Sequence, residues 1–109
     1  MSANLIEITS EQHLADVLSA NANVVVDFWA PWCGPCRQLS PVLELVAKEN
    51  SNVVICKVNV DEQSALSVKN EISSIPALHF YKNNVKVYNT KGFLGKKELL
   101  AAISTNLSV

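Results

Sequence analysis

Two cysteines three positions apart, Cys33 and Cys36, are the residues of this 109-residue chain whose type and spacing most clearly allow chemistry. They open a stretch with helical periodicity, so both thiols lie on the first turn of a helix, where residues three apart are neighbours. At that end of a helix, free backbone N–H groups and the helix dipole stabilise a thiolate, which is the nucleophilic form of cysteine. We therefore expect Cys33 to be the attacking sulfur. Cys36, one turn further in, should be less exposed and should resolve a mixed disulfide.

Three kinds of site are compatible with this pair of cysteines taken alone. A structural zinc site usually needs four ligands in two closely spaced pairs, and the other candidates, Cys56, His13 and His79, stand at no such spacing. A purely structural disulfide across so short a loop would restrict the unfolded chain little. A dithiol/disulfide redox site is favoured, because the pair lies between a buried-type strand and the start of a helix. The uncharged Gly34-Pro35 linker favours a reducing role, since a histidine there would stabilise the thiolate and make a better oxidant.

Composition excludes several other classes of function. The chain is 49% hydrophobic and 17% charged, with a net charge of -1. It therefore has enough apolar surface for a core, and no basic surface for nucleic acid or an anionic membrane. No apolar run approaches the roughly 18 residues that span a bilayer. The segment from Met1 to Leu5 lacks the basic and apolar regions of a secretory signal, so we expect a cytoplasmic protein, and a monomer because nothing indicates an obligate oligomer.

Alternating strand and helix patterns predict that residues 1–109 form one α/β domain. The run from Val24 to Trp29 is apolar on both faces apart from Asp27, which is typical of a central strand covered on both sides, and it leads directly into the cysteines. The other predicted strands are 5–8, 53–60, 77–81 and 85–88. The predicted helices are 10–20, 33–49, 62–70 and a C-terminal helix that carries Leu99, Leu100, Ile103 and Leu107.

Two local signals mark the ends of these elements. Thr9 followed by Gln12 fits a capping box and predicts the start of the first helix. Asn83 and Asn84 both tolerate a positive φ, so they predict a tight hairpin between the last two strands. Both predictions depend on local backbone chemistry alone.

The stretch from Trp29 to Cys36, Trp-Ala-Pro-Trp-Cys-Gly-Pro-Cys, resembles the active site of the thioredoxin family. The resemblance continues at Asp27, at Lys57, at the Ile75-Pro76 pair and at Gly92, and length and element order agree from end to end. It implies the thioredoxin fold, an α/β architecture in which a central mixed five-stranded sheet is flanked by four helices.

The same resemblance implies an activity, general reduction of protein disulfides through a redox-active Cys33–Cys36 disulfide. Such a protein holds no bound cofactor. A thioredoxin reductase that draws on NADPH would restore the dithiol, and diverse disulfide-containing proteins would be the substrates.

Two charged residues in otherwise apolar strands acquire roles from this resemblance. A buried lone carboxylate such as Asp27 tends to stay protonated, although an edge-exposed or capping aspartate is the plainer interpretation. In the family the equivalent acid is a base, so we expect Asp27 to accept a proton from Cys36, directly or through a water. Lys57 has a plain interpretation as a lysine that reaches solvent from a strand edge. The family pattern implies that it tunes Asp27.

A substrate surface around the first cysteine is also implied. Ile75-Pro76 matches the family's cis-proline loop, and a cis Pro76 would turn the backbone of Ile75 toward Cys33, where an extended substrate segment could pair with it. The predicted substrate-binding residues share a small, flat apolar rim with little selectivity; they are Trp32, Gly34, Pro35, Ile75, Pro76 and Gly92. Trp29 is expected to support the site from the end of the central strand.

Several positions depart from the family pattern. Asn70 and Glu71 replace a frequent aromatic-glycine pair, and Asn84 replaces a hairpin glycine. These changes bear on partner contacts rather than on the cysteine chemistry. His79 stands where the family has an apolar residue, and we expect it to be hydrogen-bonded or half-exposed. Cys56 is expected to be a small buried hydrophobe.

Two other functions fit the same residues. The chain could be a thioredoxin-fold binding subunit of a larger complex, with cysteines incidental to that role. It could also be a disulfide oxidase or isomerase, which the reduction potential would distinguish from a reductase.

Overall fold

A five-stranded sheet organises residues 3–109, the part of the chain described by the computed structural model. The strands are β1 (Leu5–Glu7), β2 (Asn23–Trp29), β3 (Val54–Asn59), β4 (Ala77–Lys82) and β5 (Val85–Lys91). The helices are α1 (Glu11–Ala20), α2 (Gly34–Glu49), α3 (Ser64–Lys69) and α4 (Lys96–Leu107). The strand order is β1-β3-β2-β4-β5, with parallel pairing among the first three and antiparallel pairing of β4 to β2 and of β5 to β4. The predicted mixed sheet with four helices is confirmed.

Burial on both faces places β2 at the centre of the sheet. Val25 packs with α2 and α4, whereas Val24, Val26 and Phe28 pack with α1 and α3, and all four are fully buried. Since side chains alternate along a strand, Asp27 lies on the same face as Val25, under α2 and α4. Within residues 3–109, no helix is long and apolar enough to cross a bilayer.

The start of α1 differs from the prediction. Ser10 is the N-cap, and its hydroxyl accepts the backbone N–H of His13 at 3.0 Å. The Nδ1 atom of His13 accepts the backbone N–H of Thr9, also at 3.0 Å. The predicted pair of Thr9 and Gln12 is wrong, because histidine here takes the place that glutamate or glutamine has in a capping box.

The hairpin between β4 and β5 confirms the predicted turn. Asn83 (φ 51°) and Asn84 (φ 68°) both adopt the left-handed conformation that this turn requires. The last strand is longer than the predicted 85–88, since it runs to Lys91. Nearly all of β5 is exposed at the sheet edge, so no apolar pattern marks its end. The other predicted ends agree with the structure to within two residues.

Cys56 and His79, which the sequence analysis had noted, both lie on the sheet face under α1 and α3. Cys56 is free and fully buried there, as predicted. His79 is also buried, with its ring 5.0 Å from that of Phe28, so the expected half-exposed or hydrogen-bonded state is wrong. In the described part of the chain its Nδ1 has no hydrogen-bond partner. Burial, together with the charge of Lys86, lowers the pKa of His79 to about 4, so a neutral ring is accommodated in the core.

One amide joins the start of the sheet to the end of α2. The Nδ2 atom of Asn4 lies 2.8 Å from the carbonyl oxygen of Ala47, 3.1 Å from that of Asn50 and 2.8 Å from that of Val53. Carbonyls at a helix end have no partner within the helix, so this amide gives a donor to the carbonyl of Ala47 in the last turn of α2. No pattern in the sequence marked Asn4 for this role.

Replacing Asn4 with alanine is expected to lower the free energy of unfolding by about 1–3 kcal/mol, because partly buried carbonyls lose their donor. Urea unfolding followed by circular dichroism measures the change. Asn106→Ala is the matched control and should cost less, since the amide of Asn106 donates to Ala102 of the same helix and joins no second element in the described part of the chain. An Asn4→Ala protein as stable as the control variant would contradict the bridging role.

Candidate active site

The two cysteines form a disulfide at the N-terminus of α2. Cys33 is the N-cap residue, and its Sγ accepts the backbone N–H of Cys36 at 3.2 Å. Cys36 is 2% exposed and Cys33 is 6% exposed, so the second cysteine is the more deeply buried, as predicted. The helix end thus directs an N–H at the sulfur of Cys33, an arrangement that stabilises a thiolate once the disulfide is reduced.

Local contacts hold the turn that carries the sulfurs. The backbone N–H of Cys33 donates to the carbonyl of Ala30 at 3.2 Å. The guanidinium of Arg37 donates to the carbonyl of Pro31 at 3.0 Å and ties the loop to the helix. Pro35 lies in the first turn of α2, where its missing N–H costs little. The loop and the helix start therefore form one well-defined unit.

The loop before β4 faces the first cysteine. The Ile75–Pro76 peptide bond is cis, and the carbonyl oxygen of Ile75 lies 3.8 Å from the Sγ of Cys33. The backbone N–H of Gly92 donates to the carbonyl of Pro76 at 2.8 Å, and its φ of +88° favours glycine. The structure therefore brings these four residues to one place.

The indole of Trp32 lies on the surface beside this site. It is 66% exposed, and its Nε1 donates to the carboxylate of Asp61 at 2.9 Å. The side chain of Asn59 accepts the backbone N–H of Asp61 at 2.9 Å and so fixes the turn after β3. Sequence reasoning missed Asp61 and Asn59. A signal existed, because parallel strands β2 and β3 end at the same edge of the sheet.

The remaining predicted rim residues differ in exposure. Pro35 is exposed, Gly34 is half-buried with open space where a Cβ would stand, and Pro76 is buried. Phe93 follows Gly92 directly and is 46% exposed. Phe93 adds an aromatic surface next to Gly92, and sequence reasoning did not identify this phenylalanine.

Asp27 is the buried acid of this region. It is 1% exposed, and within residues 3–109 its Oδ1 has no hydrogen-bond partner. Burial raises the pKa of Asp27 from its ordinary 3.8 to about 7; the charge of Lys57 lowers it and that of Glu7 raises it, both to a smaller extent. The carboxyl therefore exchanges its proton near neutral pH.

Lys57 lies beside Asp27 in the sheet, but its ammonium makes other contacts. The Nζ atom donates to the hydroxyl of Ser40 at 3.0 Å and lies 4.4 Å from the centre of the Trp29 ring. In the part of the chain that the structure describes, no ion pair joins Lys57 to Asp27. Lys57 therefore acts on Asp27 through space. Sequence reasoning did not identify Ser40.

The zinc interpretation needs further ligands close to the motif. Cys56 lies on the opposite face of the sheet, under α1 and α3. Among residues 3–109, no three His, Cys, Asp or Glu side chains come together as a metal-binding group would require. The structure instead joins the two sulfurs of the motif to each other.

The raised pKa of Asp27 makes ionisation of this carboxyl destabilising. The unfolded carboxyl ionises near pH 3.8 and the folded one near pH 7, so the wild type loses stability as the pH rises between these values. Asp27→Asn cannot ionise. Its stability relative to the wild type should therefore increase over this interval, by at most about 4 kcal/mol at 1.36 kcal/mol per pKa unit, and stay constant above it.

Urea unfolding of the oxidised protein from about pH 4 to about pH 8 measures this difference. Glu44→Gln is the control, because it removes one carboxylate from the exposed side of α2 instead of from the protein interior. A stability difference between Asp27→Asn and the wild type that is independent of pH would contradict the raised pKa.

Comparison with known proteins gives the same family at sequence and structure level. The model of the Thioredoxin family matches residues 4–105. A thioredoxin of Pseudomonas aeruginosa is 35% identical over 108 residues, which cover 98% of this chain and 100% of that protein. A bifunctional thioredoxin reductase/thioredoxin of Mycobacterium leprae is 40% identical over 100 residues, which cover 91% of this chain and 22% of that protein.

Among solved structures, a mutant thioredoxin of Halobacterium salinarum superposes with a TM-score of 0.91 at 30% sequence identity. The match covers 100% of this chain and 96% of that chain. Thioredoxins are protein-disulfide oxidoreductases, and a disulfide at the start of a helix is what that reaction needs. The chain belongs to the thioredoxin family and is a protein-disulfide oxidoreductase, with a redox-active disulfide between Cys33 and Cys36.

Proposed function

We propose that this protein is a general reductant of protein disulfides that is recycled by a thioredoxin reductase. The observation that carries the proposal is the position of the Cys33 sulfur at the N-terminus of α2, where it accepts the backbone N–H of Cys36 at 3.2 Å. This contact favours the thiolate of Cys33, the form that attacks a disulfide. The uncharged Gly34-Pro35 linker adds no further stabilisation of the thiolate, which supports reduction over oxidation.

The reaction transfers two electrons from the dithiol to the substrate. The Cys33 thiolate attacks one sulfur of the substrate disulfide, whose S–S bond breaks while a mixed disulfide forms; the departing substrate sulfur takes up a proton. Cys36 then loses its proton and attacks the Cys33 sulfur. The mixed disulfide breaks, the second substrate sulfur leaves as a thiolate that becomes protonated, and the Cys33–Cys36 disulfide remains.

Asp27 is the proposed acceptor of the Cys36 proton. Its pKa of about 7 supports this role, since a general base works best when its pKa lies near the working pH. Lys57 tunes Asp27, because its positive charge favours the ionised carboxyl. Trp29 supports the site by holding the ammonium of Lys57 over its ring.

The substrate surface surrounds the first cysteine. An extended substrate segment would pair with the backbone of Ile75, whose carbonyl lies 3.8 Å from the Cys33 sulfur. Main-chain pairing is independent of side chains, so it suits a reductant that meets many proteins. The proposed apolar rim consists of Trp32, Gly34, Pro35, Ile75, Pro76 and Gly92.

The proposed redox partner is a thioredoxin reductase. The Mycobacterium leprae relative carries a thioredoxin reductase and a thioredoxin in one protein, which supports such a partnership. The reductase would deliver electrons from NADPH, and this chain would need no bound cofactor.

We further propose that the chain is a single domain that acts as a cytoplasmic monomer. The one five-stranded sheet shared by all strands between residues 3 and 109 supports the single domain.

Replacing Cys33 with serine is expected to abolish catalysed disulfide reduction, because serine has no thiolate to attack a disulfide. Reduction of insulin by dithiothreitol with and without the protein measures the activity. Cys56→Ala is the control and should remain active, since Cys56 is buried on the other face of the sheet. Equal acceleration by Cys33→Ser and wild type would refute the reductase.

Replacing Cys36 with serine should trap the mixed disulfide, because the second step loses its nucleophile. Non-reducing electrophoresis and mass spectrometry of a cell extract treated with this variant detect the adducts. The Cys33→Ser/Cys36→Ser protein is the control and should trap none. Absence of adducts with Cys36→Ser would contradict the resolving role, and a partner retained by the double variant would favour the binding-subunit interpretation.

A further inference from the structure

The ammonium of Lys57 could reach the carboxyl group of Asp27, but it contacts Ser40 and Trp29 instead. Lys57 and Asp27 are register partners on the parallel strands β3 and β2, about 4.8 Å apart, with side chains on one face. The flexible lysine side chain is long enough to reach the carboxyl. The Nζ atom instead contacts the Ser40 hydroxyl at 3.0 Å and the ring of Trp29. Within the described residues, Oδ1 of Asp27 is left without a partner.

Ser40 is well placed to hold this ammonium. It follows Cys36 by four residues on α2, so both side chains lie on one face of the helix, and Ser40 is half-buried. A hydrogen bond from an ammonium is charge-assisted and therefore stronger than one between neutral groups. The aromatic ring of Trp29 attracts the same cation from a second direction.

We propose that Ser40 is a positioning residue that holds the Lys57 ammonium at Trp29 and so keeps Lys57 from forming an ion pair with Asp27. Its effect on the reaction rests on the proposed function, in which Asp27 accepts the proton of Cys36. An ion pair would stabilise the ionised carboxyl and make it a weaker base. Ser40 thereby preserves the proton affinity that Asp27 needs near neutral pH.

Lys57 is the cation among the described groups that surround Asp27. On β1, Glu7 lies beyond Lys57 in the same row of the sheet and raises the pKa of Asp27. The neighbour on β4 is the apolar Leu78. On α2 the thiol of Cys36 can titrate, but not in the oxidised protein. The buried residues of α4 on this face are all apolar: Leu99, Ile103 and Leu107.

Carboxyl ¹³C NMR titration of Asp27 in the oxidised protein tests the proposal. In Ser40→Ala the pKa of Asp27 should fall by about one unit or more, because an opposite charge at contact distance lowers a carboxyl pKa by about 1–3 units. Ser40→Thr retains the hydroxyl and should restore the wild-type pKa. An Asp27 pKa that is unchanged or raised in Ser40→Ala would overturn the proposal.

A second pair of variants shows whether the effect passes through the lysine. In a Lys57→Met protein the ammonium is absent, so adding Ser40→Ala should leave the pKa of Asp27 unchanged. An equal fall with and without Lys57 would assign the effect to the surroundings of the carboxyl and overturn the proposal.

This titration distinguishes the positioning role from the proposed function, because it involves no turnover. The pH dependence of insulin reduction should shift to lower pH in Ser40→Ala, in step with Asp27. If the pKa of Asp27 falls and the pH–rate profile stays in place, Ser40 positions Lys57 as proposed and Asp27 is not the proton acceptor. If the pKa falls and even the wild type fails to reduce insulin, the positioning role stands and the reductase function does not.

Discussion

Burial of β2 on both faces is the constraint from which the site follows. The strand is covered by two helices on each side, so it lies in the middle of the sheet and ends at one defined edge. Its end leads into Cys33 at the start of α2. β4 is antiparallel to β2, with Ala77 opposite Phe28, so the loop that carries Pro76 ends beside the cysteines. β3 is parallel and ends at the same edge, which places Asp61 near Trp32.

The site stabilises a negative charge on the sulfur of Cys33 and destabilises one on the carboxyl group of Asp27. The N-terminus of α2 directs a backbone N–H at the sulfur of Cys33 and so favours its anion. The interior of the sheet offers Oδ1 of Asp27 no donor within residues 3–109, so burial disfavours the carboxylate and raises its pKa to about 7. The first effect favours the thiolate of Cys33, which is the nucleophile of thiol–disulfide exchange, and the second lets Asp27 bind a proton near neutral pH.

Sequence patterns predicted most of the fold because its elements are locally consistent. The strand ending at Trp29, the helix after Cys33 and the turn at Asn83 and Asn84 follow from apolar periodicity, helix-end chemistry and backbone φ preferences. The patterns failed where the structure depends on contacts between residues distant in the sequence, or where a residue type is unusual for its position. They ended β5 too early, at residue 88 instead of Lys91, because its residues are exposed, and they misplaced His79, which is tolerated in the core because its ring stays neutral.

The sequence by itself determined the redox pair, since the spacing of Cys33 and Cys36 and the following helical pattern depend only on residues close in the chain. Tertiary structure alone decided which contacts the Lys57 ammonium makes near that pair. Lys57 could pair with Asp27, reach solvent or contact α2, and only packing of the helix on the sheet brings Ser40 within 3.0 Å of its ammonium. The physical reason is that these contacts join residues far apart in sequence, and their strength depends on the burial that the fold creates.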